Sequence, residues 1–259
     1  MRGIPQGTTR ADPLSDLDPG RTAFFLDFDG TLAPIVARPD EARIEPAVLD
    51  VVHRLQALTG GAVAILSGRA VDRLDRFLAP LVLPAAGVHG LQRRDAAGVL
   101  HEGPVDRAEL TAASDTIDAF ANPHLGLIVE RKPASIALHY RQRPDLEPVI
   151  LSIASRTEAA HPGLHLLRGK CVVELKAGDR TKGDALADFM REPPFAGRTP
   201  VVAGDDVTDE AAFAAANRLG GRSIKVGDGT TAAAFCVSGP HELHTRLLRL
   251  AERWDGGAV

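Results

Sequence analysis

The stretch Ala23-Phe24-Phe25-Leu26-Asp27-Phe28-Asp29-Gly30-Thr31-Leu32 runs an apolar segment straight into two aspartates and a glycine. A short continuous apolar run that stops at a glycine turn predicts a strand buried on both faces, as in a parallel sheet. Two carboxylates, two residues apart, then stand at the strand's end. One of them can attack phosphorus while its neighbour handles the leaving-group proton, with a metal ion between them. Asp-Gly is also an ordinary turn dipeptide, so the string takes this meaning only from its surroundings.

Those surroundings repeat the pattern. Apolar runs at 62–66, 81–86, 200–203 and 223–226 lead into Ser67-Gly68-Arg69, Gly87-Val88-His89-Gly90, Gly204-Asp205-Asp206 and Gly227-Asp228-Gly229. Helical periodicity fills 47–58, 71–78, 182–190 and 208–218. Strands alternating with helices predict an α/β core, a doubly wound parallel sheet covered on both faces. In such sheets ligands bind beyond the carboxyl ends of the strands, where every one of these polar motifs falls.

Residues 95–177 do not keep this rhythm. They read as helix 106–120, strands 125–131 and 135–141, helix 145–160, and strands 164–168 and 170–176, with turns at Lys132-Pro133-Ala134 and Gly169. This predicts an inserted α+β cap, a four-stranded antiparallel sheet with two helices, between core segments 21–94 and 178–259. Period-two alternation sends Glu130 with Lys132, His139 with Arg141, and Lys170, Glu174 and Lys176 to one face. Leu127, Val129, Ile136, Leu138, Tyr140, Cys171, Val173 and Leu175 take the other, which the helices would cover. Taken alone, the charges read first as a solvated sheet face; it becomes a binding face if the insert folds over the strand ends of the core.

The 259 residues are 44% hydrophobic and 25% charged, an ordinary soluble composition, and the net charge of −4 offers no basic footprint for nucleic acid or anionic membrane. The polar residues 1–20 read as a disordered leader, neither signal peptide nor anchor, and no run approaches the roughly 20 apolar residues of a membrane span. Cys171 and Cys236 lack metal-ligand spacing and lie in apolar segments, which predicts buried free thiols in a reducing cytoplasm. Aromatic residues are only 4%, so the core must be largely aliphatic.

The chain resembles the haloacid dehalogenase-like phosphatases: Asp27 to Leu32, Ser67 in Ser67-Gly68-Arg69, Lys182 in Thr181-Lys182-Gly183, and Gly204-Asp205-Asp206-Val207-Thr208-Asp209-Glu210 match that family's four motifs in order and spacing. Within it, the chain is similar to the trehalose-6-phosphate phosphatases. The strings that carry this are Leu32-Ala33-Pro34-Ile35, Val88-His89-Gly90, Glu130-Arg131-Lys132, His139-Tyr140-Arg141, Gly169-Lys170 with Glu174, and the Asp-Asp-Val-Thr-Asp-Glu form of the last motif. Val88 departs from the pattern, since family members commonly carry Glu before His-Gly.

The resemblance implies that Asp27 is the nucleophile forming an aspartyl-phosphate, and that Asp29 protonates the departing sugar oxygen and then deprotonates water. It implies Mg²⁺ held by Asp27, the Asp29 carbonyl and Asp205, with Asp206 or Asp209 assisting; hard oxygen ligands suit that ion. Lys182 would hold Asp27 and a phosphoryl oxygen, and Thr31, Ser67 and Gly68 would bind the phosphate. Arg69, His89, Gly90, Glu130, Lys132, Arg141, Lys170 and Glu174 are the expected substrate contacts, although Arg69 could equally bond a carboxylate. Thr208-Asp209-Glu210 also reads as a helix N-cap with acids in the first turn. His53 and the remaining histidines read as surface or packing residues. Leu243, Leu247, Leu248 and Leu250 mark 240–254 as a docking helix without chemistry.

The expected activity is hydrolysis of trehalose 6-phosphate to trehalose and phosphate by a monomeric cytoplasmic enzyme with no nucleic-acid or membrane partner. A capped phosphatase for sucrose phosphate, mannosyl phosphoglycerate or hexose phosphates remains open. So does a non-catalytic domain that binds a sugar phosphate or a synthase. The intact set Asp27, Asp29, Lys182 and Asp205 argues against the latter, since a binder needs no general acid beside a nucleophile.

Overall fold

The computed structural model describes residues 12–36 and 38–256, and the chain divides into two compact units, one holding the segments up to 101 and from 181 onward, the other 102–180. In chain order the elements are β1 (Thr22–Leu26), α1 (Pro46–Leu58), β2 (Val63–Leu66), α2 (Val71–Leu78), β3 (Ala85–Gly87), β4 (Gln92–Arg94) and β5 (Leu100–Glu102). The insert adds α3 (Arg107–Ala121), β6 (Ile128–Lys132), β7 (Ser135–His139), α4 (Glu147–Ala160), β8 (Leu164–Gly169) and β9 (Val172–Ala177). The chain then forms α5 (Lys182–Phe189), β10 (Thr199–Gly204), α6 (Glu210–Arg218), β11 (Arg222–Val226), β12 (Phe235–Val237) and α7 (Pro240–Gly256).

The large sheet has the order β12-β11-β10-β1-β2-β3-β4-β5 and is parallel from β12 to β3. All five residues of β1 are buried. Alternation along it sends Phe24 and Leu26 into one apolar layer with α1, α2 and α7, and Ala23 and Phe25 into the other with α5 and α6. Phe24 lies 6.1 Å from Trp254 and Phe25 lies 5.4 Å from Phe195, ring centre to ring centre. From β1 the chain winds outward to β2 and β3 on one side, and β10, β11 and β12 build the other. The order therefore reverses between β1 and β10, the place where such sheets bind ligands.

Four expectations are corrected. The sheet is mixed at its edge, because β4 pairs antiparallel with β3 and β5 follows it, so residues 95–101 group with the first unit and not with the insert. The run at 81–86 yields a strand only at Ala85–Gly87, since Pro80 and Pro84 lack the N–H a ladder needs. Of the leader, residues 1–11 lie outside the described residues, but 12–20 are packed: Leu14 is buried, its carbonyl accepts from Arg253, and that of Leu17 accepts from the Trp254 indole. Cys171 and Cys236 are free thiols but only half-buried.

The second unit is a sheet of order β6-β7-β9-β8, antiparallel throughout. Leu110, Ala113 and Ile117 of α3 with Ile150 and Ala154 of α4 are buried, as are Ile136, Leu138, Val173 and Leu175 of the sheet, so both helices cover the one apolar face. The two inner strands are shorter than the apolar pattern suggests. β7 stops at His139 and β9 starts at Val172, which leaves Tyr140, Arg141, Lys170 and Cys171 in connections and removes them from the strand faces.

Candidate active site

Asp27 follows β1 directly and Asp205 follows β10, so the two flank the reversal in strand order. Asp27, Asp205 and Asp209 are all buried, and one carboxylate oxygen from each lies within 4.8 Å of the others. Lys182, the first residue of α5, is buried too; its Nζ donates to Asp27 Oδ1 at 2.7 Å and to Asp209 Oδ1 at 2.6 Å. The Thr181 hydroxyl accepts from the Asp184 N–H while the Asp184 side chain accepts from the Thr181 N–H, a reciprocal cap that fixes where α5 begins. Gly30 is where it is because nothing else fits: φ is +81°, and a Cβ would come within 2.3 Å of Asp205 Oδ2.

Three carboxylates against one ammonium leave a deficit of two positive charges, the charge of one divalent cation. Burial, then the Asp209 carboxylate, pushes the Asp27 carboxyl well above the usual carboxylate range, with Lys182 pulling the other way. Burial lowers Lys182, but the combined pull of Asp209 and Asp27 outweighs it and its pKa is raised, so it stays an ammonium. Asp27 Oδ2 is buried with no hydrogen-bond partner among the described residues. A hard, all-oxygen, electron-rich cluster with an orphaned acceptor fits Mg²⁺. Asp206 does not join the cluster; its backbone N–H donates to Asp209 Oδ2 at 3.0 Å. Asp29 presents its carboxylate elsewhere: Arg69 donates to Oδ2 from Nε at 2.7 Å and to Oδ1 from Nη2 at 2.6 Å. Of the two readings of Arg69, the geometry shows the carboxylate bond.

Thr31, Ser67 and Gly68 surround the same strand ends. Thr31 Oγ1 is buried without a hydrogen-bond partner among the described residues, and Ser67 Oγ accepts from the Arg69 N–H at 3.1 Å. Val88 and His89 sit at φ of 48° and 53°, a strained conformation that for a β-branched valine costs on the order of 1–3 kcal/mol. It is held by the His89 N–H on the Ser67 carbonyl at 3.0 Å and by the His89 ring, which occupies the space a Gly68 side chain would need. A Cβ on Gly90 would come within 2.2 Å of the Thr181 carbonyl, so this loop also abuts the start of α5.

In the second unit the register places Glu130, Ala137, Glu174 and Leu167 in one row, with Lys132, Ser135, Lys176 and His165 in a neighbouring one. Buried Glu174 accepts from Lys132 Nζ at 2.7 Å and from Ser135 Oγ at 2.5 Å. Glu130 Oε2 lies 2.9 Å from His139 Nε2; burial raises its pKa, but the His139 bond and Lys132 together leave it below the usual range. Arg141 and Lys170 lie outside this grid, joined by Arg141 Nη2 donating to the Lys170 carbonyl at 2.9 Å.

Two contacts escaped the sequence. His244, expected as a packing residue on a helix without chemistry, has its Nε2 2.7 Å from the Thr31 carbonyl, and burial lowers its pKa, which keeps it neutral. Lys225 is buried with Nζ on the Asp205 carbonyl at 2.7 Å. No motif announces either, since each reaches the backbone of a motif residue and not its side chain.

The trehalose-phosphatase family matches residues 25–240. Over 217 residues the chain is 42% identical to the trehalose-6-phosphate phosphatase of Escherichia coli, covering 84% of this chain and 82% of that protein. It is 38% identical to the probable trehalose-phosphate phosphatase of Sinorhizobium fredii over 82% and 80% of the two lengths. In fold it is similar to the C-terminal domain of the Candida albicans trehalose-6-phosphate phosphatase, with a TM-score of 0.83 over 90% of this chain and 93% of that one at 21% identity. With residues 25–240 matched by the family and its fold shared, the chain belongs to the trehalose-phosphatase family.

Proposed function

We propose that this protein hydrolyses trehalose 6-phosphate to trehalose and phosphate in the cytoplasm, with Mg²⁺ as cofactor. The observation that carries this reading is Asp27 at the reversal of strand order, one oxygen held by Lys182 and the other without a partner. In the first step the Asp27 carboxylate attacks phosphorus, the bond from phosphorus to the sugar oxygen breaks, and Asp29 gives that oxygen its proton. In the second, Asp29 takes a proton from water, the water oxygen attacks phosphorus, and Asp27 leaves as a free carboxylate with inorganic phosphate as product.

Asp27, Asp205 and the Asp29 carbonyl would hold the Mg²⁺, with Asp209 beside them; when bound, the ion neutralises charge on the phosphoryl oxygens. Lys182 keeps Asp27 and Asp209 apart in charge and can reach a phosphoryl oxygen. Thr31 and Ser67 supply hydroxyls and Gly68 a close backbone approach to the phosphate. Asp29 serves as acid only after one of its oxygens leaves Arg69. Glu130, Lys132, Arg141, Lys170 and Glu174 of the insert, with His89 and Gly90, would recognise the sugar, carboxylates accepting from its hydroxyls and cations donating to them.

The test is phosphate release from a panel of trehalose 6-phosphate, sucrose 6-phosphate, mannosyl phosphoglycerate and glucose 6-phosphate, with Mg²⁺ and with EDTA. Release from trehalose 6-phosphate at least ~100-fold faster than from the others, and only with metal, is expected. Turnover undiminished by EDTA would remove the metal, and a preference for another sugar phosphate would reassign the substrate.

A further inference from the structure

Among the described residues of the first unit, Lys225 is the one buried ammonium besides Lys182, and nothing in the mechanism uses it. It lies on β11 opposite Gly204, the residue before Asp205. Its side chain is 6% exposed, and its Nζ donates to the Asp205 carbonyl at 2.7 Å. The nearest carboxylate is Glu210, whose Oε1 is 4.0 Å away. Glu210 Oε2 accepts from the Ala232 N–H at 2.6 Å, and its Oε1 is buried with no hydrogen-bond partner among the described residues. Glu210 ends the last motif, yet among the described residues it belongs to no carboxylate cluster that could hold a metal.

A buried cation with one hydrogen bond is an expensive way to stabilise a fold, since several kcal/mol of hydration are forfeited per ion. Its position explains it better. The Asp205 peptide lies just past Gly204, the last residue of β10 in register with β11. Turning that peptide would swing the Asp205 carboxylate out of reach of Asp27 and Asp209. Lys225 fastens the carbonyl from the neighbouring strand, and Glu210, itself pinned by Ala232, matches the ammonium's charge so that it does not act as a repulsive neighbour for a cation in the cluster.

We propose that Lys225, its charge balanced by Glu210, is a positioning residue that presets the Asp205 carboxylate for Mg²⁺. This rests on the metal reading given under the proposed function. Groups that orient a ligand residue typically contribute 10- to 100-fold in metal affinity. Lys225→Met should therefore weaken Mg²⁺ binding to the substrate-free protein at least ~10-fold by calorimetry. Lys225→Arg, which keeps charge and donor, should stay within ~3-fold of the parent. The Mg²⁺ concentration for half-maximal turnover should move by the same factors. A folded Lys225→Met variant that binds Mg²⁺ as well as the parent, or better, overturns the proposal, as does Lys225→Arg binding no better than Lys225→Met. Should Lys225→Met not fold, Glu210→Gln carries the comparison, with weakening of at least ~3-fold expected and unchanged affinity overturning it. Failure of the parent itself to bind Mg²⁺ is a separate result, which removes the metal reading and this proposal with it.

Discussion

Arg69 grips both carboxylate oxygens of Asp29 and is itself seated among aromatic rings, its guanidinium carbon 4.7 Å from the centre of Phe77 and 5.4 Å from that of Phe28. Its third contact is the Pro39 carbonyl at 2.9 Å. The arginine is buried while the Asp29 side chain is 38% exposed, so the enclosed partner aims the open one. A bidentate pair of this geometry fixes orientation as well as distance.

Replacing Arg69 by Met should therefore impair the proton transfer assigned to Asp29. A sugar alkoxide is a poor leaving group and needs that proton, whereas p-nitrophenolate does not. Turnover of trehalose 6-phosphate should fall at least ~30-fold and that of p-nitrophenyl phosphate less than ~3-fold, within the 10²–10⁴ that general acids supply. Equal losses on both would make Arg69 a structural support of its loop.

Asp27→Asn should remove at least ~10³-fold of turnover, because an amide packs in the same space but does not attack phosphorus. Burial and two neighbouring carboxylates already disfavour the charged form of Asp27. The metal-free variant should thus melt no lower than the metal-free parent, as read by circular dichroism. Activity within tenfold of the parent would remove Asp27 as nucleophile.

The two glutamates of the insert should behave differently. Glu130→Ala should cut kcat/KM for trehalose 6-phosphate at least ~10-fold, about 1.4 kcal/mol, and leave p-nitrophenyl phosphate nearly unchanged. Glu174 anchors half-buried Lys132 and buried Ser135, so alanine there would strand a cation. Glu174→Gln is the cleaner variant, and the same tenfold loss with the same selectivity is expected. Unchanged turnover of trehalose 6-phosphate in both would return this face to solvent.

Stability should carry a pH signature from the start of α7. Glu242 accepts from the Ser238 N–H and hydroxyl and from Arg246, and these bonds, the Ser238 N–H foremost, pull its pKa from 4.5 to about 2. A depressed folded-state pKa stabilises the protein above the unfolded value and is lost as pH falls toward the folded one. The group is a third exposed, so the screened contribution is about 1 kcal/mol, or about 2–4 °C in Tm. Glu242→Gln should lower Tm by that amount at pH 7, with the gap closing between pH 4.5 and pH 2. A gap independent of pH would assign the loss to packing.

The core was legible because β1, β2 and β10 are largely apolar runs and a motif stands at the end of each. What escaped has identifiable causes. β4, β5 and β12 are three residues long, too short for a period to show. Leu14 and Leu17 are isolated apolar residues in a polar stretch, and only the fold reveals that α7 covers them. The Asp27, Asp29 and Lys182 assignments rested on side-chain chemistry that motifs record, while Lys225 and His244 work on carbonyls that every residue possesses. Arg69 was left between two roles because a guanidinium suits carboxylate and phosphate alike.

Asp27 and the lysine that holds it are 155 residues apart in the chain. At roughly 5–20 residues per second, a ribosome spends on the order of ten to thirty seconds between making the two. For that interval the nascent chain carries a strand-end carboxylate with no counter-cation, and no truncated product ending before α5 possesses a site at all. Recovery of activity after denaturation is consequently a late clock: it starts only when the first and last thirds of the polypeptide have found each other across the whole inserted segment, however early the insert's own local hairpins close.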